Sequence, residues 1–167
     1  MENMEIERKF LIKEMPDLEK YTFKELEQGY LNTSPTVRVR REDDEYYLTY
    51  KSKSKDDIAR EEYNLPLTKE AYEHLIKKAD GNIISKRRYL VPAGKGEDGR
   101  ELIAEIDVFA PPFAPLILAE VEFSSVEEAG AFVKPPWLGE DVSSDRRYYN
   151  SYLSTVDPKC IIDLFDA

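Results

Sequence analysis

The sequence predicts an α+β protein built on a closed antiparallel β-barrel of about eight strands, with helices packed outside. Three observations lead there. Period-two alternation recurs along most of the chain. One phase of it is charged, while the other holds Ile, Val, Leu, Tyr and Phe. The charges come in pairs of one sign, with EIE, EID and EVE set against RVR and KRR. An ordinary half-buried sheet has a solvated polar face, on which both signs are interspersed. Closing the sheet with its charges inward gives a lumen of both signs, wide enough for one small ligand, and leaves the apolar face for helices to cover.

Strands are expected over residues 5–11, 36–41, 45–51, 60–67, 82–91, 102–109 and 116–123. Tyr30, in QGYL, falls in a further short strand after a helix or turn near 14–27. Thr68 is placed to cap KEAYEHLIKKA, with Ala71, Leu75 and Ala79 on one face and Gly81 just past the end. Ser125 caps VEEAGAFV, and Pro135 and Pro136 stop it. Residues 52–57 read as a hairpin tip, 92–99 as a turn and 110–115 as a loop. Trp137 is expected to anchor a loop on the barrel exterior, and the apolar stretch 160–165 to dock on the barrel or on a second subunit.

The 167 residues suit one domain over 1–167, with a core at 5–153 and a tail at 154–167. Formal net charge is 24 − 34 = −10, which disfavours nucleic acid and anionic membranes as partners. Cys160 and His74 are each the sole residue of their type, so neither a disulfide framework nor a His-rich zinc site is expected. The opening MENMEIERKF carries charges where a signal peptide needs an apolar run, and no stretch approaches the roughly 20 apolar residues of a membrane helix. A cytoplasmic monomer or homodimer is the expectation.

Taking alternate residues of each strand gives an inward set. Its acids are Glu5, Glu7, Glu62, Glu105, Asp107, Glu120 and Glu122; its bases are Lys9, Arg38, Arg40, Lys51, Lys86 and Arg88, with Arg147 added. Charges packed this densely persist only if paired, hydrated or bound to ligands. Carboxylates suit hard divalent cations, and Arg and Lys suit phosphate oxygens. Together they describe a metal–polyphosphate site.

EIERK (5–9) resembles the N-terminal signature of the CYTH superfamily, the triphosphate tunnel metalloenzymes. The likeness continues in order through QGYL, VRVRR, YLTYKS, AREEYNLPL, SKRRYLV, AEIDVF, AEVEF, WLGEDVSSD and RRYYNSYL, covering roughly 5–153. The resemblance implies that Glu5, Glu7, Glu120 and Glu122, with Glu105 and Asp107, bind Mg²⁺ or Mn²⁺. It implies that Arg38, Arg40, Lys51, Lys86 and Arg88 hold triphosphate, with Arg147 (or its neighbour Arg146) completing the set. In members resembling this one, a lysine and a tyrosine form a catalytic dyad; here they are Lys9 and Tyr30. Asn3 stands where the cyclase branch carries His, and Asn64 stands where some members place a second acid after Glu62. The first functional expectation is hydrolysis of inorganic triphosphate or a related compound. The alternatives are a class IV-type adenylate cyclase and a non-catalytic polyphosphate-binding module.

Overall fold

The computed structural model describes residues 3–53 and 58–161. Among them, one antiparallel sheet contains β1 (Met4–Ile12), β2 (Phe23–Thr33), β3 (Thr36–Glu42), β4 (Glu45–Lys51), β5 (Ala59–Pro66), β6 (Asp80–Lys95), β7 (Glu101–Phe109), β8 (Ile117–Phe123) and β9 (Leu138–Asp141). Its order is β5-β4-β3-β2-β6-β7-β8-β1-β9. β1 also pairs back onto β5 at Met4–Glu61, Glu5–Arg60 and Ile6–Ala59, which closes eight strands into a barrel. β8 takes one edge of β1, while β5 and β9 share the other, β9 joining at Phe10 and Ile12.

The helices α1 (Lys69–Ile76) and α2 (Val126–Ala131) start where the sequence placed their caps. Thr68 accepts the Ala71 N–H at 3.1 Å, and Ser125 accepts the Glu128 N–H at 3.0 Å. The residue α1 buries most deeply is Tyr72, whose hydroxyl donates to the Glu27 carboxylate at 2.8 Å. Past the end of α1, Gly81 adopts φ +68°, and a Cβ there would lie 2.0 Å from the Ser154 carbonyl oxygen. After β9 come a 3-10 turn at Arg146–Tyr148, the short helix α3 (Asn150–Leu153) and a further 3-10 turn at Pro158–Cys160. No described helix is long and apolar enough to cross a membrane.

Three expectations are corrected. β2 begins at Phe23 and runs 11 residues, where a helix or turn was expected over 14–27; only a 3-10 turn at Leu18–Lys20 precedes it. Pairing on both edges, with β3 and with β6, makes this segment a strand although Lys24, Glu25 and Glu27 scatter charge over both its faces. β6 continues through Pro92 to Lys95, and a register shift between Pro92 and Lys95 accommodates the proline and Gly94 within the strand. Nor is all of the hydrophobic core outside.

One core does lie on the exterior, where Phe10, Val91, Ile106, Val121 and Phe123 pack beneath α2, with Trp137 against them. A second fills one end of the barrel. By alternation Ile84 shares the inward face with Lys86 and Arg88, Phe109 with Glu105 and Asp107, and Leu118 with Glu120 and Glu122. These apolar residues meet Tyr148, Leu153 and Ile161 from the C-terminal segment, so that end is plugged. Of the apolar stretch 160–165, Ile161 docks on the barrel; 162–165 lie outside the described residues, as do 54–57 of the expected hairpin tip.

Gly29 faces outward beneath the end of α1. A Cβ there would lie 2.7 Å from the Ala79 Cβ and 2.8 Å from the Ile76 Cδ1. Gly29→Ala should destabilise the fold by about 1–3 kcal/mol through overpacking, read as a lower urea midpoint with an unchanged denaturant slope.

Candidate active site in the lumen

The open part of the barrel encloses a cavity of about 370 Å³. Of the residues expected there, Glu5, Glu7, Lys9, Tyr30, Arg38, Arg40, Lys51, Glu62, Arg88, Glu105, Glu120 and Glu122 all line it. Each stands on a strand whose alternate side chains face inward. Strand pairing places Glu7 beside Glu122, Lys9 beside Glu120, and Lys51 beside Glu62.

On the acidic side, the Lys51 ammonium sits 2.7 Å from Glu5 Oε1 and 3.3 Å from Glu62 Oε2. Burial and the neighbouring Glu7 push the Glu5 carboxyl well above its ordinary value. Burial and Glu120 push Glu7 up to about 7. Burial, with Glu105 and Glu62, also raises Glu122. Burial works against ionisation of Glu62 too, but a hydrogen bond from Glu5 and the charge of Lys51 bring it down to about 2. Glu120 likewise overcomes burial through Lys9 and Arg88, and lies well below its ordinary range. The Lys9 ammonium donates to the Tyr148 carbonyl at 2.9 Å, lies 3.5 Å from Glu120 Oε1, and stands 5.5 Å from the Tyr149 ring centroid.

On the basic side, Arg88 is held by carboxylates: its Nε is 2.8 Å from Asp107 and its Nη1 2.9 Å from Glu105. Arg38, Arg40 and Arg60 are different. Among the described residues, none of the three makes an ion pair with a carboxylate. Among the described residues Arg38 reaches only the Thr49 hydroxyl, at 3.3 Å, and its buried Nε has no partner there. Arg40 donates from Nε to the Gln28 carbonyl oxygen at 2.8 Å. Burial, Arg38 and Arg88 lower Arg40 to about 10, which leaves it charged at neutral pH. The Arg60 guanidinium lies 5.7 Å from the Tyr149 ring centroid.

Three expected residues do not reach the cavity surface. Lys86 and Asp107 lie beneath its floor, where charged layer meets apolar plug, and pair with each other at 2.7 Å. Burial beside Phe109 lowers the Lys86 ammonium to about 7. Burial also opposes ionisation of Asp107, yet Arg88 and Lys86 keep its carboxyl below the ordinary range. Arg147 points to solvent and pairs with Asp145 at 2.7 Å, and Arg146 is exposed as well. The cause is the 3-10 turn, which directs Tyr148 into the inner core and its arginine neighbours outward.

Several lining residues escaped the sequence reading. Arg60 shares its alternation phase with Glu62, so the period-two signal was present for it, as it was for Gln28, which shares the phase of Tyr30 and is buried behind the lining against Arg40. Tyr149, Asn150 and Ser151 line the cavity from the C-terminal segment, which returns to the barrel through tertiary packing that no local pattern announces.

The carboxylates offer hard oxygen donors, though among the described residues no three of them gather around one point. Their crowding, visible in the raised Glu5, Glu7 and Glu122, fits a divalent cation that takes one or two carboxylates from the protein and its remaining oxygens from ligand and water. Fold and lumen thus define a closed barrel built around a small ligand of very high charge.

The chain belongs to the CYTH domain family, whose pattern matches residues 3–149. It is 42% identical to an inorganic triphosphatase of Nitrosomonas europaea over 158 residues, covering 92% of this chain and 99% of that one. An inorganic triphosphatase of Acetivibrio thermocellus is 34% identical over 156 residues, covering 89% and 92% respectively. A crystal structure of an inorganic triphosphatase, 39% identical, superposes with a TM-score of 0.64 and covers 92% of this chain and 96% of its own.

The raised Glu7 carboxyl has a consequence for stability. Between its ordinary 4.5 and about 7, the folded protein holds a proton at Glu7 that the unfolded chain has released. Folding stability therefore falls as pH rises through that window, and the penalty is complete above it. Glu7→Gln should stabilise the metal-free protein at pH 8 by on the order of 1–3 kcal/mol and change little below pH 4.5. Thermal unfolding at both pH values checks this.

Proposed function

We propose that the lumen hydrolyses inorganic triphosphate or a related triphosphate compound, with Mg²⁺ or Mn²⁺ as cofactor. One observation carries the reading: Arg38, Arg40 and Arg60 face the cavity with no carboxylate partner among the described residues, opposite a set of mutually repelling carboxylates. Guanidinium groups match phosphate oxygens in geometry and charge. Crowded carboxylates match a divalent cation. A compound of cation and polyphosphate satisfies both.

One or two of Glu5, Glu7 and Glu122 would hold the cation, with Glu62, Glu105 and Glu120 around them. When bound, the cation neutralises charge on phosphate oxygens and lowers the pKa of bound water. The protein's own residues do the rest. Arg38, Arg40 and Arg60 grip the chain of phosphates and hold its terminal phosphorus in line with a water molecule. Lys9, anchored by the Tyr148 carbonyl and Glu120, carries its ammonium into the lumen. The Tyr30 hydroxyl accepts from Gln28 at 3.4 Å, so its own proton is left to orient the water or a phosphate oxygen. Attack at the terminal phosphorus breaks the P–O–P bond, and one water converts triphosphate into orthophosphate and diphosphate.

Hydrolysis is preferred to cyclisation of ATP because the curated relatives above are inorganic triphosphatases. A binding module has no need of crowded carboxylates. The lone Cys160 and the high charge suit a cytoplasmic enzyme, monomeric or homodimeric.

Incubation with inorganic triphosphate and Mg²⁺ or Mn²⁺ should release orthophosphate and diphosphate, and excess chelator should abolish the release. Cyclic AMP as the main product from ATP would refute the hydrolase reading. Tyr30→Phe should lower kcat about 10- to 100-fold with little change in KM, whereas Arg60→Ala should raise KM about tenfold.

A further inference from the structure

We propose that Gln28 is a positioning residue for the reaction, orienting Arg40 toward the triphosphate and keeping the Tyr30 hydroxyl proton free for the lumen. The inference rests on the function proposed above. Gln28 is fully buried on the inward face of β2, in register with Arg40 on one side and Ile84 on the other. Its carbonyl oxygen accepts from Arg40 Nε at 2.8 Å. Its amide nitrogen donates to Asn150 Oδ1 at 3.3 Å and to the Tyr30 hydroxyl at 3.4 Å.

The orientation of this amide is dictated by its neighbours. Arg40 can only donate, so the carbonyl oxygen must face it. Asn150 Oδ1 accepts from Lys86 Nζ at 3.0 Å, which sets its orientation as an acceptor. The amide nitrogen must therefore point toward Asn150 and Tyr30, and Tyr30 must accept. Arg40 makes no other hydrogen bond among the described residues, so Gln28 alone determines where its long side chain directs the remaining N–H groups.

Two substitutions separate the two duties. Gln28→Met keeps the volume and removes both. Gln28→Glu keeps an acceptor for Arg40 but offers no donor, so the Tyr30 hydroxyl turns to donate to the new carboxylate and its proton leaves the lumen. Steady-state orthophosphate release from inorganic triphosphate, with saturating Mg²⁺, gives the readout. Gln28→Met should raise KM about tenfold, the loss of one hydrogen bond to a charged group. Gln28→Glu should also raise KM about tenfold, because the new carboxylate takes up the charge of Arg40, and should in addition lower kcat about tenfold, matching the direction of Tyr30→Phe. Arg40→Ala combined with Gln28→Met should have the KM of Arg40→Ala alone.

An unchanged KM in Gln28→Met would overturn the proposal, as would multiplication of the two effects in the double variant. If thermal unfolding shows that Gln28→Met does not fold, Gln28→Glu decides: a kcat lowered about tenfold supports the assignment, and an unchanged kcat refutes it. Failure of the underlying reading looks different. Then the wild type releases no orthophosphate, or Arg40→Ala itself leaves KM untouched, and the assignment of Gln28 falls with it.

Discussion

Everything in this lumen depends on a short stretch of backbone pairing between β1 and β5. Met4, Ile6 and Glu5 meet Glu61, Ala59 and Arg60, and the closure is flanked by the Glu62 N–H to Asn3 carbonyl bond at 2.7 Å and the Glu7 N–H to Ile58 carbonyl bond at 3.0 Å. Open that seam and the charged faces become the wet side of a curved sheet, where their pairings are worth little. Closed, they share a confined space in which each charge shifts its neighbours. The same seam brings Glu5, Arg60 and Glu62 together from opposite ends of the strand order.

Within that space the two signs are not simply opposed. A continuous line of polar contacts runs from Arg38 through the Thr49 hydroxyl to Asn64 Oδ1, at 3.3 and 2.6 Å. It continues from Asn64 Nδ2 to Glu62 at 2.8 Å, and then through Lys51 to Glu5. Asn64 shares the inward phase of Glu62, two residues on. An amide there can accept on one side and donate on the other, whereas a carboxylate would turn two acceptors on Glu62. The basic and acidic halves are joined by a neutral residue.

Most of this was legible in the chain itself. A period of two with charges in one phase located seven of the strands and nearly all of the charged residues that line the lumen, since a barrel converts alternation directly into inside and outside. What failed, failed where alternation stops carrying that information. Lys86 and Asp107 are in the right phase, but their height along the barrel puts them level with the plug. Height depends on strand stagger, which no single strand reveals. Arg147 lies in a 3-10 turn, where a two-residue period has no meaning. β2 was shortened because its charges fall on both faces, and only its two neighbours make it a strand.

The apolar plug gives the barrel a floor. Among the described residues, Ile84, Phe109, Tyr148 and Leu153 fill that end, and the C-terminal segment lines the chamber above them with Tyr149 and Asn150. The chamber is a cul-de-sac rather than a corridor. With that end filled, whatever enters leaves on the side of the open chamber, so incoming and outgoing ligands contend for the same doorway. Traffic through that doorway, as much as bond breaking, belongs to the working cycle of such a site.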